Sequence, residues 1–124
     1  MKTFRTFAFF FILLFTCYLS QAQNAESPKK LYHVLLFQWS DSLDVNAKAE
    51  IINLFKGLPA KVEGFEDIDI IDLTMSTDNF DTVIIQTFTS EDALENYKKH
   101  VDHQRILEIG PTLLDRIGKF DYWK

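Results

Sequence analysis

The sequence is short of the residues that staple, coordinate or cradle. Its single cysteine, Cys17, lies inside an N-terminal apolar run, which excludes a disulfide framework and a paired-thiol redox motif. The four glycines stand apart from one another, so there is no glycine-rich phosphate loop. Three histidines, His33, His100 and His103, are the only imidazoles. They offer zinc one i, i+3 pair and a distant third ligand, and no second cluster of fixed spacing supports a metal site. Positive charge is scarce as well. Thirteen Lys and Arg face 18 Asp and Glu, a net charge of −5, which argues against nucleic acid or an anionic membrane as partner.

No apolar run reaches the about 20 residues that a membrane-spanning helix needs. The longest, Phe7 to Leu19, follows Lys2 and Arg5 and precedes Ser20-Gln21-Ala22. A basic start, a short apolar stretch and small residues at the first and third positions are the pattern of a secretory signal peptide. The expectation is a signal at residues 1–22, cleaved after Ala22, and a periplasmic or secreted product. Two alternatives are an uncleaved anchor and a lipid anchor on Cys17, although Thr16 is larger than the residue usual before a lipidated cysteine. Cleavage would remove Lys2, Arg5 and Cys17, leaving 11 basic against 18 acidic residues, a net of −7 and no thiol.

What is present in quantity is aromatic and aliphatic: 12 Phe, 4 Tyr and 2 Trp, with 47% hydrophobic residues overall. That composition suits one packed domain, and 124 residues leave little room for a second. Residues 23–30 are polar, contain Ser27-Pro28, and read as a linker. The domain is expected over 31–124.

Leu31 to Trp39 alternates as a strand but is apolar on both faces. His33, Leu35, Phe37 and Trp39 share one face; Tyr32, Val34 and Leu36 share the other. Asp44 is placed to cap a helix over Val45 to Leu58, whose Ala47, Ile51, Ile52, Leu54 and Phe55 form a stripe, and Gly57 and Pro59 end it. A second strand is expected from Phe65 to Thr74, with Ile68 and Ile70 on one face and Phe65, Ile71 and Leu73 on the other. Glu66, Asp67, Asp69 and Asp72 interrupt it and read as a solvated edge rather than a calcium site. Thr82 to Thr89 is a third strand rich in β-branched residues. Ser90 caps a helix that begins with Glu91 and Asp92, where the helix dipole favours acids, and runs to about His100. More helix follows from Asp102 to Ile109. Gly110-Pro111 breaks it, Thr112 to Asp115 turns, and Ile117 to Trp123 is the last strand.

The order β-α-β-β-α-β predicts an α+β, ferredoxin-like fold with an antiparallel sheet and helices on one face. In such a domain the second sheet face meets water. Here neither face alternates in polar residues: besides the two apolar faces of Leu31 to Trp39, the third strand has Ile84 and Phe88 on one side and Val83 and Ile85 on the other. Leaving large apolar side chains wet costs about 1.5–3 kcal/mol each. A second copy of the sheet is the simplest cover, and a two-fold pair is the commonest oligomer. The expectation is a homodimeric barrel; the alternative is that the C-terminal segment folds over the sheet.

Several segments carry a family resemblance. Leu31-Tyr32-His33-Val34-Leu35-Leu36-Phe37 resembles the opening strand of stress-responsive dimeric α/β-barrel (Dabb) domains. Leu58-Pro59 and Gly64-Phe65 are similar to that family's helix exit and second-strand entry, and Phe80-Asp81 to its aromatic-Asp step. Phe88 to Tyr97 is similar to its strand-to-helix segment, His100-Val101-Asp102-His103 to its histidine pair, and Phe120-Asp121-Tyr122 to its ending. Val101 departs from a common proline, and the export signal departs from a mostly cytoplasmic family.

The resemblance implies that the His33 face lines the barrel interior. It also carries over a catalytic set from plant polyketide cyclases, in which histidines and a tyrosine serve an intramolecular aldol condensation. Position by position, His33, Tyr97 and His103 match. Histidine suits removal of a proton next to a carbonyl, and a tyrosine hydroxyl suits the developing oxyanion. Leu35, Phe37, Trp39 and His100 are expected to contact a small hydrophobic ligand, with His100 and His103 sharing a helix face. No cofactor is expected. The competing reading is structural: His33 and His103 bond each other or the backbone and pin the C-terminal segment to the sheet. The functional expectation is therefore a ligand-binding stress-responsive barrel, or else a cofactor-free cyclase-like or oxygenase-like enzyme acting on a hydrophobic carbonyl compound.

Overall fold

The computed structural model describes residues 26–124. The expected signal peptide, Cys17 and the first linker residues lie outside the described residues. Among the described residues, no helix is long and apolar enough to cross a membrane.

Strand β1 (Leu31–Trp39) leads through Asp44 into helix α1 (Val45–Gly57) and a 3-10 turn (Leu58–Ala60). The Asp44 carboxylate accepts from the backbone N–H of Asn46 at 2.8 Å and of Ala47 at 3.3 Å. Satisfying those orphan donors is worth about 1 kcal/mol. Strands β2 (Phe65–Asp72) and β3 (Thr82–Phe88) follow. Helices α2 (Glu91–Lys99) and α3 (Val101–Ile109), a 3-10 turn (Gly110–Thr112) and strand β4 (Leu114–Trp123) complete the chain. Ser90 Oγ caps α2 by accepting from Ala93 N–H at 3.1 Å.

The sheet order is β2-β3-β1-β4, with every pair antiparallel. This is the ferredoxin-like arrangement, with the second helical stretch divided in two. The backbone pairing of Lys30 with Lys124 extends the β1–β4 ladder by one step.

The core lies between one sheet face and the helices. Leu31, Leu35, Phe37 and Trp39 of β1, with Ile84 and Phe88 of β3, meet Ile51 and Phe55 of α1 and Tyr97 of α2. The opposite face carries Tyr32, Leu36, Val83 and Ile85, half-buried, and Ile71, Phe120 and Tyr122, exposed. Tyr32 and Tyr122 stack there with ring centroids 4.9 Å apart. The sheet is thus apolar on both sides, as the alternation in β1 requires.

Two bulges alter the expected pattern. The β2–β3 register slips between Phe65 and Asp67. The extra residue turns Phe65 onto the core face with Ile68 and Ile70, not onto the opposite face. The β1–β4 register slips at Gln38/Trp39, so Trp39 pairs with Leu114 and Gln38 with Arg116. Pairing resumes beyond Asp115, and β4 begins three residues earlier than the expected Ile117. Strand β2 also stops at Asp72, short of Thr74.

Candidate functional site

The central strand supplies the first residue. His33 is 5% exposed and stands directly opposite Asp121 of β4 in the ladder. Directly paired residues project to the same face. His33 Nδ1 meets Asp121 Oδ1 at 2.5 Å. A carboxylate only accepts, so Nδ1–H donates and Nε2 is left with its lone pair.

The break between α2 and α3 supplies the others. His100 takes an extended backbone, with ψ 142°, and ends α2. Its Nδ1 accepts from Asp102 N–H at 3.1 Å, which makes it the N-cap of α3. The carbonyl of Lys98, in the last turn of α2, has no partner inside that helix. It accepts from His103 Nδ1–H at 2.9 Å and from Gln104 Nε2–H at 2.6 Å. A helix end thereby sets the His103 tautomer, and its Nε2 is also the free acceptor.

Tyr97 stands between the two imidazoles. Its ring centroid is 4.4 Å from that of His103 and 6.2 Å from that of His33. The residue is 1% exposed, and its hydroxyl has no hydrogen-bond partner. Gln86 of β3 is wholly buried, and neither atom of its amide is paired. Gln86 stands beside the Tyr97 hydroxyl and slightly favours its ionised form, but no well-formed bond joins them.

Burial dominates the electrostatics. It pushes the Tyr97 hydroxyl well above its ordinary range, so the phenol keeps its proton. It lowers His33 below the ordinary histidine value, against the pull of the Asp121 carboxylate. Burial lowers His103 too, against its bond to the Lys98 carbonyl, while His33, Lys98 and Lys119 add to the fall. Two neutral imidazoles and one protonated phenol therefore line the same space at neutral pH.

That space is a cavity of about 850 Å³ between sheet and helices. His33, Leu35 and Phe37 form its floor, and Ile51, Phe55 and Ile106 form apolar walls. Lys98, Arg116 and Lys119 stand on its lining toward β4. Five of the residues expected at the site meet here: His33, Leu35, Phe37, Tyr97 and His103.

Two others do not. Trp39 is buried in the core; its indole N–H donates to Thr82 Oγ1 at 2.9 Å and its backbone N–H to Asp81 Oδ2 at 2.8 Å. Lys48 Nζ sits 4.6 Å over its ring. His100 is spent on capping α3, and the break it makes prevents it from sharing a helix face with His103. The face bearing His33 is also corrected. It lies beneath the protomer's own helices, not on the side open to a second sheet.

Sequence reasoning missed Asp121 and Gln86 as members of the site. Both carried a signal. Gln86 falls between Ile84 and Phe88 on the same face of an alternating strand, and a polar residue on a core face needs a reason. Asp121 stood between Phe120 and Tyr122 as a motif without a role. Of the structural expectation that the two histidines bond each other or the backbone, the backbone bond is found for His103, which donates to the Lys98 carbonyl, while His33 bonds the Asp121 side chain and the two rings do not bond each other. Among the described residues, no three His, Cys, Asp or Glu side chains gather as a metal-binding group.

Known proteins with this fold share little sequence with the chain. A dimeric ferredoxin-like protein of unknown function from Thermobifida fusca is 22% identical, with a TM-score of 0.65 over 81% of this chain and 95% of its own. A Dabb family protein with a ferredoxin-like fold from Mesorhizobium loti is 13% identical, with a TM-score of 0.63 over 76% and 95%. A hydroxynitrile lyase from Passiflora edulis is 14% identical, with a TM-score of 0.70 over 78% and 94%. At such identities the likeness shows the fold alone. No curated protein matches the chain. The model of the stress responsive A/B barrel domain matches residues 31–124, and on that match the chain belongs to the stress responsive A/B barrel (Dabb) family.

Proposed function

We propose that this chain acts as an exported homodimeric barrel that holds a small hydrophobic ligand between its sheet and helices. One observation carries the reading: a mostly apolar cavity of about 850 Å³ is lined together by His33, His103 and Tyr97, whose buried hydroxyl has no well-formed hydrogen bond. Ligand pockets commonly span about 300–1,000 Å³, with few polar groups on mostly apolar walls. A buried hydroxyl without a partner is costly, and a ligand oxygen would relieve that cost. The carbonyl group suits best, because the phenol is protonated and offers a donor. The second copy would pack on the Tyr32–Val34–Leu36 face, where Phe120 and Tyr122 are exposed. The Thermobifida fusca relative is dimeric, which supports the same assembly here.

A second reading is catalytic, and the two neutral imidazoles favour it. A lone pair on His103 or His33 Nε2 would take a proton from the carbon beside the ligand carbonyl. The C–H electron pair would pass into the new C=C bond, and the carbonyl pair onto oxygen. The Tyr97 hydroxyl would donate to that oxyanion. This is the opening step of a cofactor-free, cyclase-like or oxygenase-like reaction. That a hydroxynitrile lyase shares the fold shows only that the scaffold hosts an enzyme elsewhere.

Nonan-2-one tests both readings. In an NMR titration the methyl groups of Ile51 and Ile106 are expected to shift on its addition; unmoved signals at saturation would refute a carbonyl-ligand pocket. In deuterated buffer the catalytic reading expects the ketone's α-protons to exchange faster with protein than without. Exchange that survives both His103→Ala and His33→Ala would remove the catalytic assignment and leave the binding one.

A further inference from the structure

The charges beside this cavity run against the charge of the chain. The protein carries an excess of acids. Yet of the four charged residues on the cavity lining, three are cations, Lys98, Arg116 and Lys119, and one is Asp115. The nearby Asp121 is held by His33 and faces an adjoining concavity.

The three cations are not equally free. Arg116 donates to the carbonyl of Asp78, and its guanidinium lies 4.5 Å over the Phe80 ring. Lys98 reaches Glu95 at 2.7 Å, an exposed pair one turn apart. Lys119 has no ion pair among the described residues. It stands directly opposite Leu35 in the β1–β4 ladder, so its side chain shares the face of His33, Leu35 and Phe37. Both histidines register the positive charge of Lys119 and of Lys98.

We infer that the cavity selects an amphiphilic anion: an apolar body seated on Leu35, Phe37, Ile51 and Phe55, with a carboxylate at the mouth met by Lys119 and, second, by Lys98. This rests on the proposed reading of the cavity as a ligand site and names the class of ligand. The physical reason is desolvation. An apolar pocket without a cation rejects a carboxylate, because the charge loses water and gains nothing. A lysine free of other partners at the mouth reverses that balance with a charge-assisted hydrogen bond. Lysines on an edge strand also discourage pairing between sheets. That role needs only a charge of either sign, and it asks nothing of the position beside the histidines.

Decanoate and decan-1-ol share a tail and differ in head, so calorimetry with both, on the full mature protein, tests the inference. The expected result is decanoate binding about tenfold tighter than the alcohol, the worth of one charge-assisted bond, with the gap narrowing as salt is added. Lys119→Glu is expected to abolish decanoate binding and leave decan-1-ol unchanged; Lys119→Gln should weaken decanoate only. Lys119 is exposed, and near-UV circular dichroism verifies the fold of each variant. Equal binding of the two probes, or decanoate affinity untouched by Lys119→Glu, would overturn the anion preference and leave the cavity reading standing. Failure of both probes to bind would overturn the two together.

Discussion

The imidazole of His33 and the carboxylate of Asp121 face each other at 2.5 Å across a directly paired step of β1 and β4. Asp121 opposes the lowering of His33 by burial. Asp121→Asn keeps the shape and removes the charge, so the His33 midpoint should fall further in an NMR pH titration. His103 has no contact with Asp121 and feels it only through His33, so its midpoint should move less than that of His33. An unmoved His33 would show that the pair carries no electrostatic weight.

Stability should depend on pH through the same two rings. Both His33 and His103 have folded values below the ordinary 6.5. Between the folded and unfolded values, the unfolded chain binds more protons, so stability rises with pH there. It should be fully present above about pH 6.5 and decline as pH falls through and below that point. Melting temperatures across that window should drop on acidification, and His103→Gln should flatten the slope. A flat profile in the unaltered protein would contradict the burial of both rings.

Tyr97 offers a test that separates packing from chemistry. Its ring packs against Phe65 and Phe88, with centroids 5.4 Å away in each case, but its hydroxyl bonds to nothing. Tyr97→Phe removes an unsatisfied group and should be neutral or stabilising by roughly 1 kcal/mol in urea denaturation. Tyr97→Ala should cost about 3–5 kcal/mol through the lost ring. Binding of nonan-2-one should weaken in the phenylalanine variant despite its unimpaired stability. A marked loss of stability in Tyr97→Phe would mean that the hydroxyl has a partner, such as a buried water.

Phe120 sits opposite Val34 on the face away from the helices and is 51% exposed. Phe120→Glu places a charge in the expected seam between two copies, where desolvation is prohibitive. Sedimentation velocity should show the unaltered domain at twice the chain mass and the variant at once. A dimer that tolerates the glutamate would place the seam elsewhere.

The order of the elements was readable because periodicity changes cleanly from two in Leu31–Trp39 to the helical stripe of Ile51 and Phe55. The caps at Asp44 and Ser90 were readable for a related reason: each acts on backbone within three residues. What escaped depends on long-range pairing. The bulges at Phe65–Asp67 and Gln38/Trp39 exist only relative to a partner strand, so the face of Phe65 and the early start of β4 left no local trace. His100 misled because its i, i+3 spacing to His103 assumes one continuous helix, and the turn at ψ 142° interrupts it. The meeting of His33, Tyr97 and His103 was legible through likeness alone; their residue types do not say that a strand and a helix junction will converge.

Strand β1 serves two masters. Its odd-numbered residues face the helices, with His33, Leu35 and Phe37 lining the cavity, and its even-numbered residues furnish the outer face. Losing or gaining a single residue within these nine positions would swap the roles wholesale, sending tyrosine inward and histidine outward. Evolution can therefore edit letters in this segment but not its length, and any drift in ligand taste must proceed by exchange at His33, Leu35 or Phe37 with the frame held constant.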